Sequence, residues 1–177
     1  RAGAQLVVYD LAGGTMIEVS ATPPIGRPNR WLNIAGIADF TGDGDIDVAA
    51  VLTPHIGGTL QIVTLDRRRF RIIDSEKGFS NHIFGSTELG MSAVARINDD
   101  GIADLVLPDD QRQSLRMMTA AGGSLREIAR VALEAPVATA IGTLRGDTGP
   151  IFVVALEGGD LVAVWSKPDP PPRRGPR

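Results

Sequence analysis

The residues best suited to chemistry are the oxygen-bearing side chains that recur along residues 39–47. Side-chain oxygens stand at Asp39, Thr41, Asp43 and Asp47, and Gly44 lies among them. Calcium prefers about six to eight oxygen ligands, and a short, sharply turned loop can direct alternate residues inward to supply them. Glycine permits the turn that a residue with a Cβ would resist. The spacing therefore predicts a calcium-binding loop.

The alternative interpretation of this loop is a plain solvated acidic turn. Without a cation, two carboxylates ~4 Å apart repel each other by about 4 kcal/mol at an effective dielectric constant of about 20. The order of the ligand types, followed at once by the apolar run of residues 48–52, favours calcium over the solvated turn.

Composition limits the class of protein. The chain has 177 residues, 43% of them hydrophobic, and a net charge of −3, which suits one soluble domain with a sizeable core. Aromatic residues make up only 5%, and the chain is not basic, so we expect no nucleic-acid partner. Cysteine is absent, which excludes disulfides and thiolate metal sites. No apolar run approaches the ~20 residues of a transmembrane helix.

Loops related to the acidic loop recur along the chain. Residues 98–104 repeat the pattern with Asn98, Asp100, Gly101 and Asp104, and residues 140–147 keep only a fainter copy. An apolar strand follows each loop, and a leucine-centred strand follows again. Alternating strands then close the units at residues 15–19, 69–73 and 124–128. The helix-forming residues of 125–133 would also suit a helix, but their position in the repeat predicts a strand.

Units of roughly 40–50 residues with four strands each are typical of β-propeller blades. A β-sandwich is the competing fold, since it also uses many short strands. The repeat predicts an all-β propeller of four-stranded blades across residues 1–165, with small apolar inner strands such as 34–38 and 137–142. We assign the end of one blade to 5–20, whole blades to 33–73 and 90–131, and a partial blade to 136–165.

This count is too small for a closed ring. We therefore expect a C-terminal portion of about three to four blades, with the remainder of the propeller N-terminal to Arg1 and open strand edges near Leu6 and Leu161. Five of the residues 166–177 are prolines without a backbone N–H, so this proline- and arginine-rich segment cannot pair into a sheet, and we expect a disordered tail there.

The run of residues 38–48 resembles the FG-GAP (or VCBS) repeats of integrin-like β-propellers, which carry a D-x-[DN]-x-D-G-x-x-D loop between the first two strands of a blade. The resemblance implies that Asp39, Thr41, Asp43 and Asp47 bind calcium through side chains and Asp45 through its carbonyl. Thr41 departs from the usual Asn or Asp but still offers an oxygen.

The second loop departs further from this family pattern. It keeps Asn98, Asp100 and Asp104 but places Arg96 at the opening ligand position. A guanidinium there could take the place of the cation by pairing with Asp100 or Asp104. We interpret this loop as a possible degenerate metal loop.

The remaining polar residues offer little chemistry. His55 and His82 stand on different connections, and we interpret both as loop residues rather than a metal or catalytic pair. Trp31 is interpreted as a packing residue at a blade junction. Motifs of the G-x-S-x-G and HExxH types are absent from the sequence.

Two functions are compatible with these features. The first is a non-catalytic, calcium-stabilised propeller module that mediates binding or adhesion to a protein or glycan. The second is a propeller enzyme, a hydrolase or lyase with its site at the central channel, for which a cluster of acidic or histidine residues from several blades would be the sign. We favour the binding module. Extracellular modules bind calcium with a Kd of ~10⁻⁴–10⁻³ M, and cytosolic calcium would not fill such a site. We therefore expect a secreted, periplasmic or cell-surface protein.

Overall fold

Short apolar runs separated by glycine-containing turns form the strands of this chain. A computed structural model describes residues 2–166, and its strands form four antiparallel sheets. The prediction of an all-β fold is confirmed. The described residues contain no α-helix, only a single 3₁₀ turn at Ala121–Gly123. No helix in this part of the chain is long and apolar enough to cross a membrane.

The sheets follow one another in chain order, and strands within each sheet are joined consecutively. The first sheet has two strands, β1 (Val7–Ala12) and β2 (Thr15–Ala21). The second has four: β3 (Leu32–Ala38), β4 (Asp47–Leu52), β5 (Gly58–Asp66) and β6 (Arg69–Phe79).

The third sheet also has four strands, and the fourth sheet has three. The third contains β7 (Ala93–Ala95), β8 (Asp104–Pro108), β9 (Ser114–Thr119) and β10 (Arg126–Ala132). The fourth contains β11 (Gly142–Arg145), β12 (Pro150–Ala155) and β13 (Leu161–Trp165). The helix-forming residues around β10 are thus a strand, as their place in the repeat predicts, because pairing with β9 overrides intrinsic propensity.

One predicted strand is not found where the sequence placed it. The prediction of an inner strand at residues 137–142 is wrong, because Val137 forms only a single bridge to Leu156 and β11 begins at Gly142. The backbone N–H of Val137 instead donates to the Arg112 carbonyl oxygen, which ties the segment to the preceding sheet. The connection from β11 to β12 is a tight turn closed by Gly146 and Gly149, so the third acidic loop of the repeat is absent.

Neighbouring sheets pack face to face. One cluster joins the second and third sheets, with Phe40, Leu60 and Phe79 against Leu105 and Met118. A second cluster joins the third and fourth sheets through the apolar residues Met91, Val106, Leu115, Met117, Phe152, Val154 and Val164. The first strands of successive sheets also touch, β3 with β7 and β7 with β11. The core therefore lies between sheets, and β4, β8 and β9 are buried on both faces.

Close approach of these first strands depends on a missing side chain. A Cβ at Gly36 on β3 would collide with Val94 of β7, and Leu105 would lie within 3.2 Å of it. Glycine at this position lets the first strands of the two sheets approach closely.

A buried arginine links the second and third sheets. Arg116 of β9 forms ion pairs with Glu76 of β6 and with Glu127 of β10, and its guanidinium lies 4.0 Å from the centre of the Phe79 ring. A hydrogen bond from Arg130, together with the Arg116 contact, lowers the pKa of Glu127 to about 2. Glu127 therefore stays ionised at neutral and mildly acidic pH.

Removing a side chain between sheets tests this packing. Phe152 is fully buried between the third and fourth sheets, whereas Phe84 is 85% exposed. Phe152→Ala should lower the free energy of unfolding by about 3–5 kcal/mol, because it removes buried area and leaves a cavity. Urea denaturation measures the change. The matched control Phe84→Ala should cost less than about 1 kcal/mol, and equal losses for both variants would contradict the observed packing.

Candidate functional site

The acidic loop of residues 39–46 connects β3 to β4 and folds back on its own amides. One oxygen of the Asp39 carboxylate accepts a hydrogen bond from the Gly42 N–H at 2.7 Å, and the other accepts from the Gly44 N–H at 2.9 Å. Asp43 accepts from the Asp45 N–H at 2.9 Å. Gly42 and Gly44 both have positive φ, a conformation that glycine adopts without strain. The loop sequence therefore sets its own turn.

Asp47 closes this loop from the first position of β4. Its side chain is fully buried, and Oδ2 accepts hydrogen bonds from the Phe40 N–H at 3.1 Å and the Thr41 N–H at 3.2 Å. A carboxylate that bonds two backbone amides satisfies donors that would otherwise be buried without partners. Asp47 thus fastens the start of the loop to the start of β4 without any cation.

Two oxygens of the loop have no such partner. Asp47 Oδ1 and Thr41 Oγ1 are both buried and lack a hydrogen-bond partner. Buried polar atoms in native proteins are nearly always paired, so unpaired ones indicate a missing ligand, water or ion. Both atoms are hard oxygen donors, the kind that calcium takes. The donor chemistry of the loop therefore fits a hard cation.

The carboxylates of the first loop do not point toward a common position where they could hold an ion. Within residues 2–166, no group of three or more His, Cys, Asp or Glu side chains is arranged to hold a metal ion. Asp39 and Asp43 point their oxygens at loop amides, Asp43 and Asp45 are exposed, and only Asp47 is fully buried. Calcium binding here would require Asp39 and Asp43 to exchange these amide bonds for the ion.

The second loop repeats the hydrogen bonds by which a buried aspartate holds the first loop. Asp104 is fully buried at the first position of β8, and its Oδ2 accepts from the Ile97 N–H at 2.9 Å and the Asn98 N–H at 3.4 Å. Its Oδ1 is also buried without a partner. Asn98 and Asp100 bond loop amides, as Asp39 and Asp43 do. The two loops therefore share one fold.

Arg96 does not occupy the second loop. Its side chain is exposed, and none of the ion pairs among the described residues joins it to Asp100 or Asp104. It instead borders a groove with Thr143 and Arg145 of β11. The structure therefore does not show the pairing with Asp100 or Asp104 that the sequence left open for this guanidinium.

A second cluster lies at the opposite end of the second sheet. His55 follows β4 and His82 follows β6, and His55 Nε2 lies 2.6 Å from His82 Nδ1. Trp31, which precedes β3, lies with its ring centre 4.3 Å from that of His82, and Phe84 meets His55 edge to face at 5.6 Å. Both histidines lie on loops, as the sequence predicts, and the fold brings their rings into contact, which the sequence analysis did not predict.

Strand pairing brings the segments of this cluster together, but it does not set the ring contacts. In the second sheet Leu32 pairs with Leu52 and Gly58 pairs with Phe79, so the segments just before β3, after β4 and after β6 share one end of the sheet. The strand assignments could have placed the three segments together. The ring contacts themselves depend on how residues 80–89 fold over the sheet, which no spacing encodes.

Two asparagine side chains hold residues 80–89 against the second sheet. Asn33 Nδ2 on β3 donates to the carbonyl oxygens of Asn81 and Leu89, both at 3.0 Å. Asn81 Nδ2 donates in return to the backbone of β3. These bonds position His82, which is only 1% exposed, beneath the Trp31 ring.

The histidine pair has a defined protonation requirement. A nitrogen–nitrogen hydrogen bond needs one N–H and one lone pair, so only one of the two facing nitrogens carries a proton. Burial, followed by the charge of His82, lowers the pKa of His55. His82 Nε2, one of the two ring nitrogens outside this contact, is buried and has no hydrogen-bond partner. The folded protein therefore disfavours the protonated form of His55.

Comparison with known proteins adds no family. No protein-family model matches the chain, and no curated protein matches it significantly. The resemblance of residues 38–48 to FG-GAP repeats stays a prediction.

Loss of a buried aspartate should weaken the fold even without metal. In a chelator, Asp47→Ala and Asp104→Ala should each lower the free energy of unfolding by about 2–4 kcal/mol, because each leaves two buried N–H groups without an acceptor. Urea denaturation in EDTA measures this. Asp43→Ala is the control and should change stability by less than about 1 kcal/mol, since Asp43 is exposed. A harmless Asp104→Ala would contradict the fastening role.

The histidine pair should make stability depend on pH. Since the pKa of His55 is lower in the folded state, the unfolded chain binds more protons near neutrality. The stabilisation is complete above the unfolded pKa of about 6.5 and declines as the pH falls through the folded value. Urea denaturation between pH 7.5 and 5 should show a smaller decline for His55→Phe than for the wild type. Parallel declines would contradict this assignment.

Proposed function

We propose that the chain is a non-catalytic, calcium-stabilised β-propeller module that binds a protein or a glycan. The observation that carries the calcium part is the pair of buried, unpartnered oxygens, Asp47 Oδ1 and Thr41 Oγ1, on one acidic loop. Asp39, Thr41, Asp43 and Asp47 would hold the ion through side chains and Asp45 through its carbonyl. When bound, calcium would neutralise the carboxylates of the loop and cross-link its two ends.

The propeller assignment is supported by the order of the sheets. Four antiparallel sheets follow one another in the chain, two of them with four strands. The second, third and fourth sheets pack face to face with their first strands in contact, and the first sheet meets the second through β2 and β6. This is the relation between neighbouring blades. A β-sandwich places the strands of two sheets over a single shared core, whereas here separate clusters lie between successive sheets.

A binding surface is supported at the end of the second sheet that lies opposite the acidic loop. Trp31 is 43% exposed and Phe84 is 85% exposed, and the exposed Ile56 follows His55 in the chain. Exposed aromatic residues that gather on loops are typical of interfaces, because they supply large contact areas and lose few rotamers on binding. We propose that this end of the sheet contacts the partner. The calcium affinity of extracellular modules supports a secreted, periplasmic or cell-surface location.

The enzyme alternative has weaker support. His55 and His82 are the only histidines in the chain, and both flank one sheet. A propeller enzyme would be expected to gather acidic or histidine residues from several blades, whereas these two histidines belong to one sheet. The pair is an element of the proposed binding surface, since its contacts are with Trp31 and Phe84.

Calcium should raise the thermal stability of the wild type. A ligand at ten times its Kd that binds only the folded state stabilises it by about 1.4 kcal/mol, which corresponds to roughly 3–5 °C in Tm. Asp43→Ala should abolish this shift, because it removes a first-loop ligand whose other role is one exposed hydrogen bond. The measurement is a thermal melt in calcium and in EDTA.

The second loop provides the matched control for this experiment. Asp100→Ala removes the equivalent exposed side chain, yet it should leave most of the calcium shift intact, because Arg96 replaces the opening acidic ligand. An unchanged wild-type melt in EDTA would make the first loop a plain turn. If Asp100→Ala removed as much of the shift as Asp43→Ala, both loops would share the ion-binding role.

A further inference from the structure

A wide groove lies where the first strands of the third and fourth sheets meet. It has a volume of about 680 Å³ and is lined by Arg96, which follows β7, and by residues 143–146 and 149–150 of the β11–β12 hairpin. β7 and β11 contact each other, so the packing of the two sheets fixes both walls of the groove. All of its lining residues fall between residues 96 and 150 of the chain.

Two arginines give this groove its charge. Arg96 follows β7 and Arg145 ends β11, and both side chains are exposed. Among the hydrogen bonds and ion pairs of residues 2–166, none engages either guanidinium. Arg112 and Arg116, by contrast, pair with glutamates. The described lining contains no acidic residue that would balance the two charges.

Two cations in one groove without a counter-charge attract anions. A cleft lined by one sign of charge focuses the electric field and raises the local concentration of ions of the opposite sign. The planar guanidinium of arginine presents N–H donors in a fork that matches the two oxygens of a carboxylate. The charge here is the reverse of that in the first loop, where Asp39 stands at the position in the repeat that Arg96 holds in the second.

The rest of the lining indicates an organic anion rather than a lone ion. Leu144 is 57% exposed and lines the groove together with Pro150, so the two side chains provide an apolar wall. Thr143 adds a hydroxyl group, which can donate to or accept from a ligand hydroxyl. Small-molecule sites have volumes of roughly 300–1,000 Å³ and combine apolar walls with a few polar groups that fix orientation. The volume of this groove lies within that range.

We propose that this groove binds an acidic sugar, such as a uronic acid unit of a glycan. The carboxylate would bind Arg96 and Arg145, the C–H face of the ring would lie on Leu144 and Pro150, and a ring hydroxyl would bond to Thr143. A fatty or aromatic acid would need a larger apolar surface than two side chains supply. An inorganic anion would leave the apolar wall without a contact.

This inference goes beyond the proposed function. The site uses neither the calcium ligands of the first loop nor the surface around Trp31 and Phe84. Because its test is carried out in EDTA, binding can be observed even if the first loop holds no ion. Failure of the test would leave the calcium proposal standing.

Titration of the ¹⁵N-labelled 177-residue chain with sodium glucuronate in EDTA, followed by NMR, tests the site. Saturable shifts are expected at the amides of residues 96–98 and 143–149, whereas glucose, which lacks the carboxylate, should cause none at the same concentration. Arg96→Gln and Arg145→Gln should each weaken binding at least about tenfold, because each removes a hydrogen bond to a charged group. Arg126→Gln removes an exposed arginine outside the groove and should bind as the wild type does.

Sodium acetate, which carries the carboxylate without the sugar ring, tests whether the ring contributes. Acetate should bind more weakly than glucuronate, and Leu144→Ser should weaken glucuronate binding at least about threefold while leaving acetate unchanged, because it removes apolar contact area. The same spectra show whether each variant is folded. Equal affinity for acetate and glucuronate would overturn the assignment to a sugar. Absence of saturable shifts, or an equal loss in Arg126→Gln, would overturn the site itself.

Discussion

Two buried carboxylates fasten the loops on which the second and third sheets are built. Asp47 and Asp104 each stand at the first position of a strand, and each bonds two backbone amides at the start of the preceding loop. An unpaired amide in these positions would be buried at a cost of about 1–3 kcal/mol. The loop and the strand after it therefore form one unit, whether or not an ion is present.

Face-to-face packing of the sheets follows from where these units place apolar residues. β4, β8 and β9 bury both faces, so each of these strands contributes to the core on either side of its sheet. Small residues in the first strands, Gly36 above all, let adjacent sheets approach. The ion pairs of Arg116 with Glu76 and Glu127 then join strands of the second and third sheets.

The two ends of the second sheet have different chemistry for the same topological reason. Antiparallel connection brings the β3–β4 and β5–β6 turns to one end, and the entry to β3, the β4–β5 turn and the exit from β6 to the other. Hard oxygens collect at the first end, and aromatic rings with imidazoles collect at the second. An ion at one end and a partner at the other would not compete for the same residues.

Local pattern by itself determined the all-β fold and the residues of both acidic loops, because strand alternation and turn glycines are properties of short segments. It also determined β10 as a strand, through its place in the repeat. Only the tertiary structure decided that His55 meets His82, and that Arg96 stays outside the second loop. These outcomes depend on contacts between residues far apart in the chain, and their geometry is set by how the sheets and connecting segments pack together.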